Sequence, residues 1–304
     1  MTLHPQSKAF LTLAAESARP QWYEMPLAEA RRIFDQFAPL LGEKPELDRI
    51  EDHLLEHGVR VRLYSSGDTP RPVIMYFHGG GWVLGNIESH DPLCRRLAVE
   101  SGCAVVSVDY RLSPESRFPG PVEDCYHATT WVREHADDLG VDANRIAVAG
   151  DSAGGQLSAA VCLKARDEDG PPIALQALLY PVVEPNFDTE SYRAFADGYG
   201  LTRDTMRWFW EQFLGDQEPT PLAAPSLAQS LGGVPPAIVV TAEYDVLRDE
   251  GIALAEKMKT DGVDVQHVAY DGMLHGFIHF AGFFETGLEA GKTIAVEIGN
   301  RLRG

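Results

Sequence analysis

The chain has 304 residues, and its 45 acidic and 26 basic side chains give a formal net charge of −19. That charge repels nucleic acid and anionic membrane surfaces, so neither is an expected partner, and it serves solubility instead. Met1–Phe10 lacks a basic segment followed by an apolar stretch, and no apolar run approaches membrane-spanning length. A cytoplasmic protein is expected. Four cysteines (Cys94, Cys103, Cys125, Cys162) lack paired metal spacing and read as buried, reduced thiols.

The first elements are helical. Pro5–Leu41 has helical apolar spacing at Phe10, Leu13 and Ala14, then at Leu27, Ile33, Phe34 and Phe37. His53-Leu54-Leu55-Glu56-His57 matches an H-x-x-E-H zinc pattern, which works only on a helix and needs a third ligand that is not evident here. No metal site is expected. From Val59 onward strand and helix signals alternate, which predicts a mostly parallel sheet covered on both faces.

The apolar run Val73–Phe77 closes on His78-Gly79-Gly80-Gly81. Glycines after a strand let the backbone approach a substrate oxygen with its N–H groups turned inward. Gly79 and Gly80 are assigned as two oxyanion donors and the backbone N–H of Ala153 as the third, with His78 orienting the loop. Asp109–Glu115 carries Asp, Arg and Glu together and reads as a buried ion-pair cluster bracing that loop. Next come the strand Arg145–Ala149, Gly150-Asp151-Ser152-Ala153-Gly154, and the small-residue helix Gln156–Arg166. A G-x-S-x-G serine between strand and helix sits on a sharp turn above the sheet, over a helix N-terminus. Asp151 is expected to hydrogen-bond the turn or the pocket wall.

Roughly Asn186–Gln217 interrupts the alternation after Tyr180-Pro181. Thr202 is a plausible N-cap for the aromatic helix Thr205–Leu214. Trp208, Phe209 and Phe213 are assigned to one helical face, with Trp210 off it. Then the strand Ala237–Thr241 leads into Ala242-Glu243-Tyr244-Asp245, the helix Asp249–Asp261 and the strand Val263–Tyr270, and His275 follows. A serine nucleophile needs a base and an orienting acid, here in the chain order serine, carboxylate, histidine. Ser152, Asp245 and His275 fill those roles. Glu243 lies closer to the strand body and Asp249 on the next helix, while His267 is inside a strand and His279 beyond the loop.

Taken together, the chain resembles the hormone-sensitive lipase-like branch of the α/β-hydrolases, in its microbial carboxylesterase form. The matching runs are His78–Gly81 with Trp82 and Gly85, Asp109–Glu115, Gly150–Gly155, Tyr180-Pro181, Asp245–Gly251 and His275-Gly276-Phe277. Ser113 and Val246 depart from the Ala and Pro that the family favours. The resemblance implies an α/β-hydrolase fold, a mostly parallel, twisted eight-stranded sheet with a helical cap, and it places a first strand near Glu46–Glu56. It divides the chain into a cap segment (1–45), a core (46–185), a cap insertion (186–218) and the rest of the core (219–304).

The implied activity is hydrolysis of carboxylic esters through an acyl-enzyme on the Ser-His-Asp triad, without metal or organic cofactor. Trp82, Asp151, Tyr180, Trp208, Phe209 and Phe277 are assigned to a bounded substrate pocket suited to short or medium acyl chains. Amide or lactone hydrolysis on the same triad, and a non-catalytic small-molecule receptor of this fold, are the alternatives. The family makes a homodimer possible.

Overall fold

The computed structural model describes residues 2–55, 58–67 and 70–304. The N-terminal segment supplies α1 (Pro5–Glu16) and α2 (Leu27–Asp35). The core follows as β1 (Arg49–Leu54), β2 (Arg60–Ser65), β3 (Arg71–Phe77), α3 (Ile87–Ser101), β4 (Ala104–Asp109), α4 (Gly120–Glu134), α5 (Ala136–Leu139), β5 (Val141–Asp151), α6 (Ala153–Asp167) and β6 (Ile173–Leu179). An excursion carries α7 (Glu190–Ala194) and α8 (Arg203–Leu214), and the chain ends with β7 (Ala237–Tyr244), α9 (Arg248–Thr260), β8 (Val265–Leu274) and α10 (Glu285–Arg303).

The eight strands form one sheet in the order β1-β2-β4-β3-β5-β6-β7-β8. β2 is antiparallel to both β1 and β4, and the other neighbours are parallel. The central strands β3, β4 and β7 are almost entirely buried, as sequences such as Val73-Ile74-Met75-Tyr76-Phe77 require of strands covered on both faces. The edge strand β1 is polar and half exposed. Helices flank the sheet: α3 packs with α10, α4 with α6, and α9 against β7 and β8. No described helix is long and apolar enough to cross a membrane.

His53 lies on β1, where side chains alternate between faces, so the zinc pattern lacks the helix it needs. Its other members, Glu56 and His57, lie outside the described residues. On α8 the buried face is Met206, Phe209, Trp210 and Phe213, while Trp208 is half exposed. The expected face was centred one position off. Met206 makes the difference, because Trp210 follows it by four residues and shares its side of the helix. The expected charge cluster at Asp109–Glu115 is not a cluster: Asp109 pairs with Arg60, Arg111 with Asp124, and Glu115 with Arg31. Each of these side chains turns outward to a different element.

Candidate active site

The parallel strands end on one edge of the sheet, and the candidate residues follow β3, β5, β7 and β8 directly. Ser152 sits between the end of β5 and the start of α6 with φ 56° and ψ −117°, a conformation that L residues hold only when their surroundings enforce it. Its N–H donates to the Leu179 carbonyl at 2.8 Å. A Cβ on Gly154 would collide with the Phe77 carbonyl, and one on Gly150 with the Gly154 carbonyl, so both positions need glycine.

β7 and β8 bring the other two groups together. Tyr244 and Leu274 pair across the two strands, so the next residue of each chain segment, Asp245 and His275, leaves the sheet side by side. The Ser152 Oγ lies 3.0 Å from His275 Nε2, and His275 Nδ1 lies 2.7 Å from Asp245 Oδ2. Since a carboxylate only accepts, Nδ1 carries the proton and Nε2 presents its lone pair to the hydroxyl. Asp245 is buried, and its Oδ1 accepts the N–H of Leu247 at 3.0 Å. The competing carboxylates are engaged elsewhere. Glu243 accepts the N–H of Gly272 at 2.7 Å, and Asp249 accepts the N–H of Ser191 at 2.7 Å.

Tyr110 and Ser113 brace the glycine loop. The Tyr110 hydroxyl donates to the His78 carbonyl at 2.8 Å, its ring stacks on the His78 imidazole, and the Ser113 N–H donates to the Trp82 carbonyl at 2.8 Å. His78 Nδ1 donates to the Gly79 carbonyl at 2.8 Å. Burial, reinforced by neighbouring His90, pushes the His78 imidazole down to about 3, which keeps it neutral and unsuited to proton transfer at neutral pH.

One oxyanion assignment changes. The Gly79 N–H donates to Asp151 Oδ1 at 3.0 Å, and the same oxygen accepts the Tyr76 hydroxyl at 2.7 Å. Gly79 is therefore occupied in holding the loop to the serine turn. Gly80 and Gly81, at φ 113° and 62°, line the cavity with Ser152 and His275 instead. Ala153, at the first position of α6, has one of the N–H groups that a helix start leaves unpaired.

The cavity over Ser152 has a volume of about 570 Å³. Asp151 and Phe209 line it, but Trp82, Tyr180, Trp208 and Phe277 are not part of its lining. Trp82 is fully buried, stacked on Phe213 with centroids 4.2 Å apart, and its Nε1 donates to Gln156 Oε1 at 2.8 Å. Tyr180 sets its ring edge-on to the His275 imidazole at 4.9 Å, and Phe277 packs behind Tyr180. Trp208 lies on the flank of α8. The apolar wall comes instead from Phe10, Phe34 and Phe37 of the N-terminal segment and from Phe280 and Phe283 beyond His275. The N-terminal phenylalanines carried a helical-spacing signal in the sequence, whereas Phe280 and Phe283 carried none.

At the floor, His90, Asp151 and His279 gather, all buried, with Asp151 and His279 reaching the cavity. The two imidazoles stack with centroids 4.2 Å apart and 28° between planes, and one ligand atom of each of the three residues lies within 4.8 Å of the others. Burial favours the protonated carboxyl of Asp151, but His90, His279 and the Tyr76 hydroxyl outweigh it and hold the group below the usual carboxylate range.

A family model described as alpha/beta hydrolase fold matches residues 74–279, more than half of the chain. The chain is 42% identical over 222 residues to the carboxylic ester hydrolase LipN of Mycobacterium tuberculosis, a match covering 70% of this chain and 59% of that protein. It is 36% identical over 315 residues to the ethyl acetate hydrolase of Pseudomonas putida, covering 98% of both. Among solved structures, the hyperthermophilic esterase of Pyrobaculum calidifontis superposes with a TM-score of 0.93 at 41% identity over 99% of each chain.

Proposed function

We propose, for a chain that belongs to the α/β-hydrolase fold family in its hormone-sensitive lipase-like branch and is a carboxylic ester hydrolase, that Ser152 is the nucleophile, His275 the base and Asp245 its orienting acid. The observation that carries this reading is the unbroken chain of contacts from Ser152 Oγ through His275 to Asp245, opening into one cavity. His275 takes the serine proton as Oγ attacks the ester carbonyl, and Asp245 stabilises the imidazolium that forms. The N–H groups of Gly80, Gly81 and Ala153 receive the oxyanion, and such preorganised donors are worth several kcal/mol. His275 returns the proton to the leaving alcohol, and water then cleaves the acyl-enzyme by the same route.

The substrates are short to medium acyl esters. Supporting this is a bounded wall of phenylalanines from the N-terminal segment, from α8 and from the stretch after His275. Residues 1–45 and 186–218 act as the cap over Ser152. The protein works in the cytoplasm, consistent with four buried, unpaired cysteines. The test is covalent labelling by a fluorophosphonate followed by peptide mass mapping. The adduct belongs on Ser152 and is lost in Ser152→Ala together with ester turnover; an adduct on another residue in the active protein overturns the assignment.

A further inference from the structure

The lining of the cavity over Ser152 is mostly apolar, yet it includes one guanidinium. Arg19 lies between α1 and the turn at Trp22, and the chain reaches it through Ala18 in a left-handed conformation at φ 47°. That turn lays the guanidinium over the Trp22 ring at 3.7 Å from the centroid, with Phe37 at 5.8 Å. Arg19 belongs to none of the ion pairs among the described residues, and its buried Nη1 has no hydrogen-bond partner. The two carboxylates that also line the cavity are committed elsewhere: Asp151 to Tyr76 and Gly79, and Asp197 to the N–H of Gly198 at 2.8 Å.

A half-buried guanidinium with one buried, unpartnered nitrogen and no counter-charge is costly, and the cost falls when an anion with matching geometry arrives. The two aromatic faces hold the planar group in place, so little further ordering is needed when it binds. Resting on the ester-hydrolase reading above, we infer that Arg19 is a substrate-binding residue for esters that carry a free carboxylate away from the scissile bond. A carboxylate can take two parallel N–H bonds from a guanidinium, whereas a carboxamide of the same shape offers a single neutral oxygen. Burial lowers the Arg19 pKa from its usual value but leaves the group cationic at neutral pH, as this binding requires.

The test compares ester pairs that differ only in that group. Ethyl hydrogen glutarate and ethyl glutaramate carry it on the acyl side, and 3-acetoxypropanoate and 3-acetoxypropanamide on the alcohol side. For one of the pairs the wild-type protein should favour the carboxylate in kcat/KM. Arg19→Gln should lower that preference about tenfold, and Arg19→Lys should restore part of it. Because each value is a ratio within one protein sample, partial misfolding of a variant cancels. A preference that is the same in wild type and Arg19→Gln for both pairs overturns the inference. Failure of the wild-type protein to cleave even the neutral esters would instead count against the ester-hydrolase reading itself.

Discussion

At the scale of single residues, the site combines side chains from three loops with backbone groups whose availability is set by their neighbours. Ser152→Ala removes one oxygen at the cavity floor and should abolish ester turnover with unfolding unchanged. His275→Ala should be nearly as severe, because nucleophile and base act as a unit. Asp245→Asn should leave more residual rate, since it costs imidazole orientation but not the base itself. Wild-type turnover in Asp245→Asn, measured on a short-chain ester, would move the acid to another carboxylate. Asp151 gives a second prediction. Its Oδ1 holds Gly79 and Tyr76, so Asp151→Ala should cost about 1–3 kcal/mol of stability and lower kcat as the glycine loop loosens. Asp151→Asn keeps an acceptor and should recover most of the rate; equal kcat in the two variants rejects the bracing role. The serine, acid and histidine were legible in the chain because motif and order locate them. Which glycine N–H is free was not, since the Gly79–Asp151 contact spans 72 positions and consumes a donor that sequence alone treats as available.

At the scale of elements, the cap and the glycine loop are linked. Arg31 of α2 donates to the carbonyls of Val83 and Ser113 at 2.9 and 3.0 Å, so the N-terminal segment holds the stretch that follows Gly81. From above, α8 presses Phe209 against Gly81 so closely that a Cβ there would meet the ring. Phe209 is the one aromatic of α8 that faces the cavity, and Phe209→Ala should shift the acyl-chain optimum upward. Each methylene gained in the new space is worth about 0.8 kcal/mol. Trp208→Ala should leave that optimum where it is, because Trp208 lies outside the lining. A profile of kcat/KM across C2 to C12 acyl esters separates the two, and a shift in Trp208→Ala with none in Phe209→Ala would reject this placement of the wall. Helical spacing revealed both cap segments as amphipathic. It could not centre the buried face of α8, because four large aromatics within six positions leave the pattern ambiguous. Contact with Trp82 below, through Phe213 and Trp210, decides it.

At the scale of the whole molecule, two opposing terms govern stability as pH falls from neutrality. The formal charge of −19 is progressively relieved as carboxylates protonate, which favours the compact state. The buried imidazoles work the other way. Burial, with His90 adding to it, pushes His78 down to about 3 and His279 well below its ordinary value. In the unfolded chain both titrate near the ordinary histidine value of about 6.5. Between those values the unfolded state binds more protons than the folded one, so stability rises with pH there. The contribution is therefore complete above about pH 6.5 and drains away as pH drops toward the folded-state values. Asp151, held below the usual carboxylate range, loses its contribution only at more acid pH and leaves this window clear. His279→Gln removes one titrating group from the floor of the site, so its urea midpoint should fall less between pH 7 and 5.5 than that of the wild-type protein. Running both series in about 0.5 M salt suppresses the long-range charge term and leaves the histidine difference in place. Parallel slopes for the two proteins would mean that His279 is protonated in the folded state, and that the stacked pair behind Asp151 carries a charge.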